Sequence, residues 1–280
     1  MFDFLLGSKE SINDDPWRWL LAIKRMLPRW INGVPDSEFR ALYDLLMQLE
    51  ADGLQPKDDS TVLVETGCGA STIMLLYFAL RWNTKHYTWD ISSNKLAELR
   101  AILTDTLFRH FSDRNIYRHW VYAAFSSTSE HAGLTTLSEL NKSVCACFLD
   151  SEHTWATLGS ELTRLQPLFI DGAVVAIDDG NYNYMRYNTA YINMIRAKLE
   201  LPSIDIQDNE GQPFWVMSEN LLKKHFGTVM NQEGGTYRRE YPQDIFYAYY
   251  SLEREATADL AMEKVEELAH RFDAWRVYYE

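Results

Sequence analysis

Five carboxylates and one imidazole stand where apolar runs of this chain end. Val62-Leu-Val ends at Glu65, and His86-Tyr-Thr-Trp ends at Asp90. Val144 to Leu149 ends at Asp150, with His153 three residues on, and Ala173 to Ile177 ends at Asp178-Asp179. If the runs are parallel strands, their ends share the crevice where such sheets bind ligands. Asp150, Asp178 and Asp179 meeting there repel one another unless protons or a cation intervene. A hard divalent ion such as Mg²⁺ suits carboxylate oxygens and leaves positions open for substrate hydroxyls. Strand neighbours point apart, so Asp178 and Asp179 reach one ion only where the chain has left strand geometry, which Gly180 permits. A neutral imidazole at His153, with a pKa near 6.5, accepts a proton at neutral pH. Blander roles compete. His153 could cap the next helix or bind a backbone carbonyl, Asp178 could be a cap, and Asp179 could accept hydrogen bonds from its loop.

Between the first two carboxylates lies Glu65-Thr-Gly-Cys-Gly-Ala-Ser-Thr72. Gly67 and Gly69 lack a Cβ, which lets the backbone turn tightly and approach a ligand. Ser71 or Thr72 is placed to cap the following helix. A strand, a Gly-x-Gly turn and a helix N-terminus together build a small-ligand site. Dinucleotide folds carry a third glycine where this chain has Thr72, so the helix start is not shaped for a pyrophosphate. Glu65 instead favours a ligand with a cationic head. Asp90 lies about 20 residues beyond the turn, where these folds place an acid that accepts from ribose hydroxyls. Asp is also a common cap, a compatible second role before the helix that begins near Ser92, but the ribose role is favoured.

These residues need a frame. Apolar runs suggest strands at 61–65, 86–90, 119–124, 144–150 and 172–178, and helical spacing suggests helices at 71–81, 93–109 and 154–166 between them. That alternation predicts an α/β fold, a doubly wound, mostly parallel sheet covered on both faces. Helices are expected at Pro16 to Leu27, with Asp14 or Asp15 as cap, and at Asp36 to Leu49, both placed to cover the ligand pocket. Leu134 to Leu140 and Asn188 to Leu199 also have helical character. Ser203 to Gln207 and Phe214 to Met217 read as a hairpin. Asp244 to Tyr279 reads as one long helix whose Tyr247, Tyr249, Tyr250, Leu252, Leu260, Val265 and Leu268 form an interaction face. Cys145 and Cys147, two apart on a strand, are expected to face the same core.

In this order and at these intervals, Glu65-Thr-Gly-Cys-Gly, Asp90, Phe148-Leu-Asp150-Ser-Glu-His153 and Ala173-Val-Val-Ala-Ile-Asp178-Asp179 resemble the class I S-adenosylmethionine-dependent methyltransferases. The likeness is greatest to the metal-dependent small-molecule O-methyltransferases of the macrocin and catechol type, and it covers roughly residues 60 to 218. It implies a Rossmann-like methyltransferase fold closed by an antiparallel pair of strands. It implies S-adenosylmethionine held by Glu65, Gly67, Gly69, Ser71, Thr72, Asp90, Ser126 and Asp150, with adenine near Phe125 to Ser127. It further implies Mg²⁺ on Asp150, Asp178 and Asp179, and His153 as general base. Ala123-Ala-Phe-Ser-Ser127 lacks the acid often found at the adenine position.

Composition is consistent with a globular enzyme. The 280 residues carry 46% hydrophobic and 24% charged side chains, ordinary proportions for one α/β domain with additions. The parts expected are an N-terminal helical cap (1–59), a cofactor-binding domain (60–218) and a C-terminal helical extension (219–280). A net charge of −13 argues against nucleic acid or an anionic membrane as partner. The partner expected is a small-molecule acceptor, with a homo-oligomer formed through the C-terminal helix. Three cysteines make no disulfide framework. Met1-Phe-Asp-Phe-Leu-Leu-Gly7 lacks the basic start and length of a secretory leader, so the cytoplasm is expected. Two other readings keep the fold: a metal-independent methyltransferase or aminopropyltransferase, and a non-catalytic interaction protein.

Overall fold

The computed structural model describes residues 15–107, 116–152, 154–178, 193–203, 230–231 and 246–249. Five strands run parallel: β1 (Thr61–Thr66), β2 (His86–Trp89), β3 (Trp120–Ala123), β4 (Ser143–Leu149) and β5 (Phe169–Ile177). Before β1 come α1 (Pro16–Lys24) and α2 (Asp36–Ala51). The connections carry α3 (Ala70–Arg81), α4 (Ser93–Asp105), α5 (Ile116–His119), α6 (Thr135–Glu139) and α7 (Trp155–Leu165). A short helix, α8, spans 193–198. Two further strands, β6 (Met230–Asn231) and β7 (Phe246–Tyr249), complete the order β3-β2-β1-β4-β5-β7-β6. The chain winds outward from β1 to β3, then returns to the other side of β1 for β4 and β5. That reversal opens a crevice at the carboxyl ends of β1 and β4, where doubly wound sheets bind ligands.

Alternate residues of each strand enter opposite layers. Leu63, Phe148, Val174 and Ala176 face Trp19, Phe39, Leu46 and Phe78 from α1, α2 and α3. Val62, Val64, Leu149, Val175 and Ile177 face Leu134, Leu137, Leu158 and Leu162. Both faces are dry, which is why the strands read as unbroken apolar runs. Helix α3 is buried from Ala70 to Leu80 because it lies between the sheet and the two N-terminal helices. Residues 16–51 therefore share the sheet's own core.

Three expectations change. Cys145 and Cys147 do not face one core: Cys145 packs in the first layer and Cys147 in the second. The cause is a register irregularity. Val62 pairs with Val144 but Leu63 pairs with Ala146, so Cys145 is an extra residue that resets the alternation. The helix expected from Asp244 does not form at its start, since Phe246–Tyr249 is a strand antiparallel to β5. Tyr247 and Tyr249 are there, paired with Ala176 and Val174. The sheet gains from this pairing what isolated helical propensity could not report. The antiparallel closing pair exists, but it is β7 and β6. Apart from Ser203, the hairpin expected over 203–217 lies outside the described residues, as does the rest of the C-terminal helix. No described helix is long and apolar enough to cross a membrane.

Candidate functional site

The glycine turn is fixed by its neighbours. Gly67 has φ +80°, and a Cβ there would sit 1.7 Å from the Asp150 carbonyl oxygen, so only glycine fits where β1 passes the end of β4. The Gly67 amide donates to the Trp89 carbonyl at 2.7 Å. The Cys68 amide donates to Asp90 Oδ2 at 2.9 Å. On its other side a Cβ on Gly69 would meet the Ile31 carbonyl at 2.8 Å. The segment between α1 and α2 thus closes directly over the turn.

Under the turn lies a fully buried polar network centred on Glu65. Ser71 Oγ donates to Glu65 Oε1 at 2.6 Å, and Thr72 Oγ1 donates to Oε2 at 2.8 Å. Thr88 Oγ1 donates to Oε2 at 3.2 Å, and His86 Nε2 lies 3.0 Å from the same oxygen. Thr72 Oγ1 also accepts the Gly69 amide at 2.9 Å. Helix α3 begins one residue earlier than expected, with Gly69 in the cap position. Ser71 and Thr72 therefore occupy its first turn, where their hydroxyls satisfy Glu65. A buried carboxylate needs such donors, and these tie β1, β2 and α3 together.

Asp90 holds the entry to α4 without being its cap. Oδ1 accepts the Ser92 amide at 2.7 Å, and Oδ2 accepts from Cys68 and from Lys95 Nζ, the latter at 3.3 Å. The cap of α4 itself is Ser92, which accepts the Lys95 amide. Lys95 Nζ also donates to the Cys68 carbonyl at 3.3 Å. Burial works against the Lys95 charge, but Asp90 first and Asp150 less strongly outweigh it and hold its pKa above the ordinary lysine value. Burial pushes the Cys68 thiol far up, which suits a small residue in a tight place and not a nucleophile.

A cavity of about 320 Å³ opens beside the turn. The sheet supplies Cys68, Gly69, Asp150 and Asp178, and α4 supplies Lys95. The opposite wall comes from Trp30, Ile31, Val34 and Glu38 of the N-terminal segment. Asp150 and Asp178 arrive there by register: the Asp150 amide donates to the Thr66 carbonyl at 2.8 Å, and the Asp178 amide to the Leu149 carbonyl at 3.0 Å.

The structure thus brings Gly69, Asp150 and Asp178 to one cavity, places Gly67 and Asp90 at its margin, and puts Glu65, Ser71 and Thr72 beneath it. Ser126 stands after β3 with its hydroxyl 2.9 Å from Thr128 Oγ1. His153 and Asp179 lie outside the described residues. Among the described residues no three of His, Cys, Asp and Glu converge as a metal site.

Lys95, Glu38, Ile91 and Arg196 carried no motif and emerge only here, and Phe125 and Glu152 gain a structural setting. Lys95 and Glu38 enter the cavity from helices. Ile91 and Phe125 remain 48% and 56% exposed although each is a large apolar side chain. They are two positions past Trp89 and Ala123, which pair across β2 and β3. Glu152, after β4, accepts from Arg196 of α8 at 2.6 Å and from Thr157 Oγ1 at 3.1 Å. Arg196 is buried and also donates to the Pro202 carbonyl.

No family model and no curated protein matches the chain. Among solved structures it is similar to the calicheamicin methyltransferase CalS11, at 12% identity and a TM-score of 0.42 over 89% of this chain and 90% of that one. It is similar to an O-methyltransferase from Bacillus cereus in complex with SAH, at 11% identity and a TM-score of 0.48 over 89% and 100%. It is also similar to the MycE methyltransferase from the mycinamycin pathway in complex with Mg, SAH and mycinamycin VI, at 11% identity and a TM-score of 0.43 over 81% and 58%. Likeness at this level assigns no activity, and the functional reading rests on the residues themselves.

Proposed function

We propose that the chain is an S-adenosylmethionine-dependent methyltransferase that methylates an oxygen of a small hydroxylated acceptor, such as a sugar or polyhydroxylated natural product. The observation that carries the reading is the cavity at the carboxyl edge of the sheet. It sets three acidic side chains, Glu38, Asp150 and Asp178, against one base, Lys95, beside a Gly-x-Gly turn. A sulfonium with an ammonium head complements that balance, whereas a pyrophosphate is repelled by it. Ile91 and Phe125 offer apolar faces for a purine at the ends of β2 and β3, and Asp90 lies between them and the turn.

The donor set supports a cation as well. Asp150 and Asp178 offer carboxylate oxygens to one cavity, the ligand type a hard divalent ion takes, and Asp179 would complete the set. Such an ion, when bound, supplies Lewis acidity toward the acceptor hydroxyl. His153 takes the hydroxyl proton on a ring nitrogen. The remaining wall excludes water and orients the acceptor, so most of the rate gain comes from positioning. The acidic surface balance and the cavity's size favour a small acceptor over nucleic acid, and a cytoplasmic location fits a cofactor made there.

Calorimetry with S-adenosylmethionine, with and without Mg²⁺, tests this reading. Binding with metal-dependent turnover is expected. Binding and turnover indifferent to a chelator would remove the ion, and no binding would remove the activity altogether. In His153→Ala, cofactor affinity should persist while turnover falls by about 10²- to 10⁴-fold; unchanged turnover would exclude it as the base.

A further inference from the structure

Glu65, the acid of the glycine-turn motif, does not reach the ligand cavity. Glu65 is fully buried, both of its oxygens accept from Ser71, Thr72 and Thr88, and His86 closes the set. Glu65 does not line the cavity. An amino-acid head carrying an ammonium still needs an anionic partner when it leaves water. The N-terminal wall supplies one. Glu38 stands in the first turn of α2, is 2% exposed, and lines the same cavity as Cys68, Gly69 and Ala70. Its position against the turn is set by backbone contact, because Ile31 packs on Gly69 so closely that no Cβ fits between them. Asp36, two residues before Glu38, accepts from Lys24 at 2.8 Å and from Arg25 at 2.7 Å, which anchors the start of α2 to the end of α1.

Resting on the proposed cofactor, we infer that Glu38 is the residue that receives the α-ammonium of the methionine head. The N-terminal helices are then part of the binding site and set its selectivity for an amino-acid-bearing nucleoside. The carboxylate accepts the ammonium protons; no bond is made or broken. Lys95, on the facing wall, offers the opposite charge to the head's carboxylate.

Two nucleosides that differ in the head make the test. Calorimetry on the full chain compares S-adenosylhomocysteine, which carries the amino-acid head, with 5′-methylthioadenosine, which lacks it. Glu38→Gln should weaken S-adenosylhomocysteine by about thirtyfold or more, as expected when a buried ion pair loses its anion, and leave methylthioadenosine unchanged. Glu38→Asp should recover part of the loss. Equal weakening of both ligands, or no weakening of either, overturns the role of Glu38 while leaving the methyltransferase reading in place. Failure of the wild-type chain to bind either nucleoside overturns that reading itself. If Glu38→Gln does not fold, amide exchange of the wild-type chain decides. S-adenosylhomocysteine should slow exchange across 36–41 and methylthioadenosine should not; equal protection by both refutes the contact.

Discussion

Gly67 concentrates the local constraints of the site. Its φ of +80° lies in the left-handed region, and the space a side chain needs is filled by the Asp150 carbonyl. Alanine there carries both the conformational cost and a clash that the end of β4 must relieve by moving. Gly67→Ala should lose more than about 2 kcal/mol of stability and displace Asp150 from the cavity, so ligand affinity should fall with it. Gly69→Ala is the informative comparison. Its backbone is extended, and its Cβ would meet the Ile31 carbonyl at 2.8 Å, so it should cost less stability while pushing the N-terminal wall outward. Urea unfolding of both variants checks the order; a Gly67→Ala midpoint equal to wild type would contradict the packing. The glycines were legible because a turn that needs φ above zero selects one residue type. The partners of Glu65 were not. Ser71 and Thr72 are close in sequence, but His86 and Thr88 reach Glu65 from the adjacent strand, and only the pairing of β1 with β2 brings them there. Glu38 carried no signal, since an acid in a helix's first turn is ordinary.

At the scale of elements, the N-terminal helices are held at both ends. Asp36 ties α1 to α2, and at the other end of α2 Glu50 accepts from Arg81 at 2.6 and 2.7 Å and from Trp82 Nε1 at 2.7 Å. Hydrogen bonds from Arg81, and then from Trp82, outweigh burial and hold the Glu50 pKa below its ordinary 4.5. A carboxyl group whose pKa is depressed on folding contributes stability above its unfolded pKa, and that stability is lost as pH falls through the lower folded value. Glu50→Gln should therefore cost about 1 kcal/mol at neutral pH, discounted because Arg81 is partly exposed. The gap between variant and wild type should close as pH drops below about 4. Denaturant titrations across that range measure it, and a gap independent of pH would mean that packing, not charge, is what Glu50 provides. Because Glu38 lies between the two pins, and Ile31 in the loop that Asp36 closes onto Lys24 and Arg25, loosening α2 should also weaken ligand binding. Elements with a clear period were readable from the chain: all five parallel strands, α2, α3 and α7 lie within a few residues of expectation. Residue 145 shows what a period cannot report. One extra residue in β4 leaves every neighbour apolar and sends the two cysteines into different cores.

The whole molecule depends on a strand that its local sequence disguised. Phe246–Tyr249 sits in a stretch rich in good helix formers, yet it pairs along β5 with Val174↔Tyr249 and Ile177↔Phe246. Tertiary pairing overrides a weak local preference when it covers an open sheet edge. Without β7, the apolar half of β5, Ala173 to Ile177, would present its hydrogen-bonding groups and side chains along an exposed edge, a template for pairing with another chain. That half ends at Asp178, so the same edge also supports the acidic side of the cavity. Ala248→Pro tests the dependence directly. Ala248 pairs with Val175 of β5, and proline there fixes φ and removes a backbone donor within the sheet. The variant should melt earlier and form higher-order species in light scattering, and its ligand affinity should fall as Asp178 loses its support. The net charge of −13 should slow this association at low salt and allow it as ionic strength rises. A variant that keeps wild-type size and wild-type melting at all salt concentrations would show that β7 does not complete the sheet, and the carboxyl edge of β5 would then need another source of order.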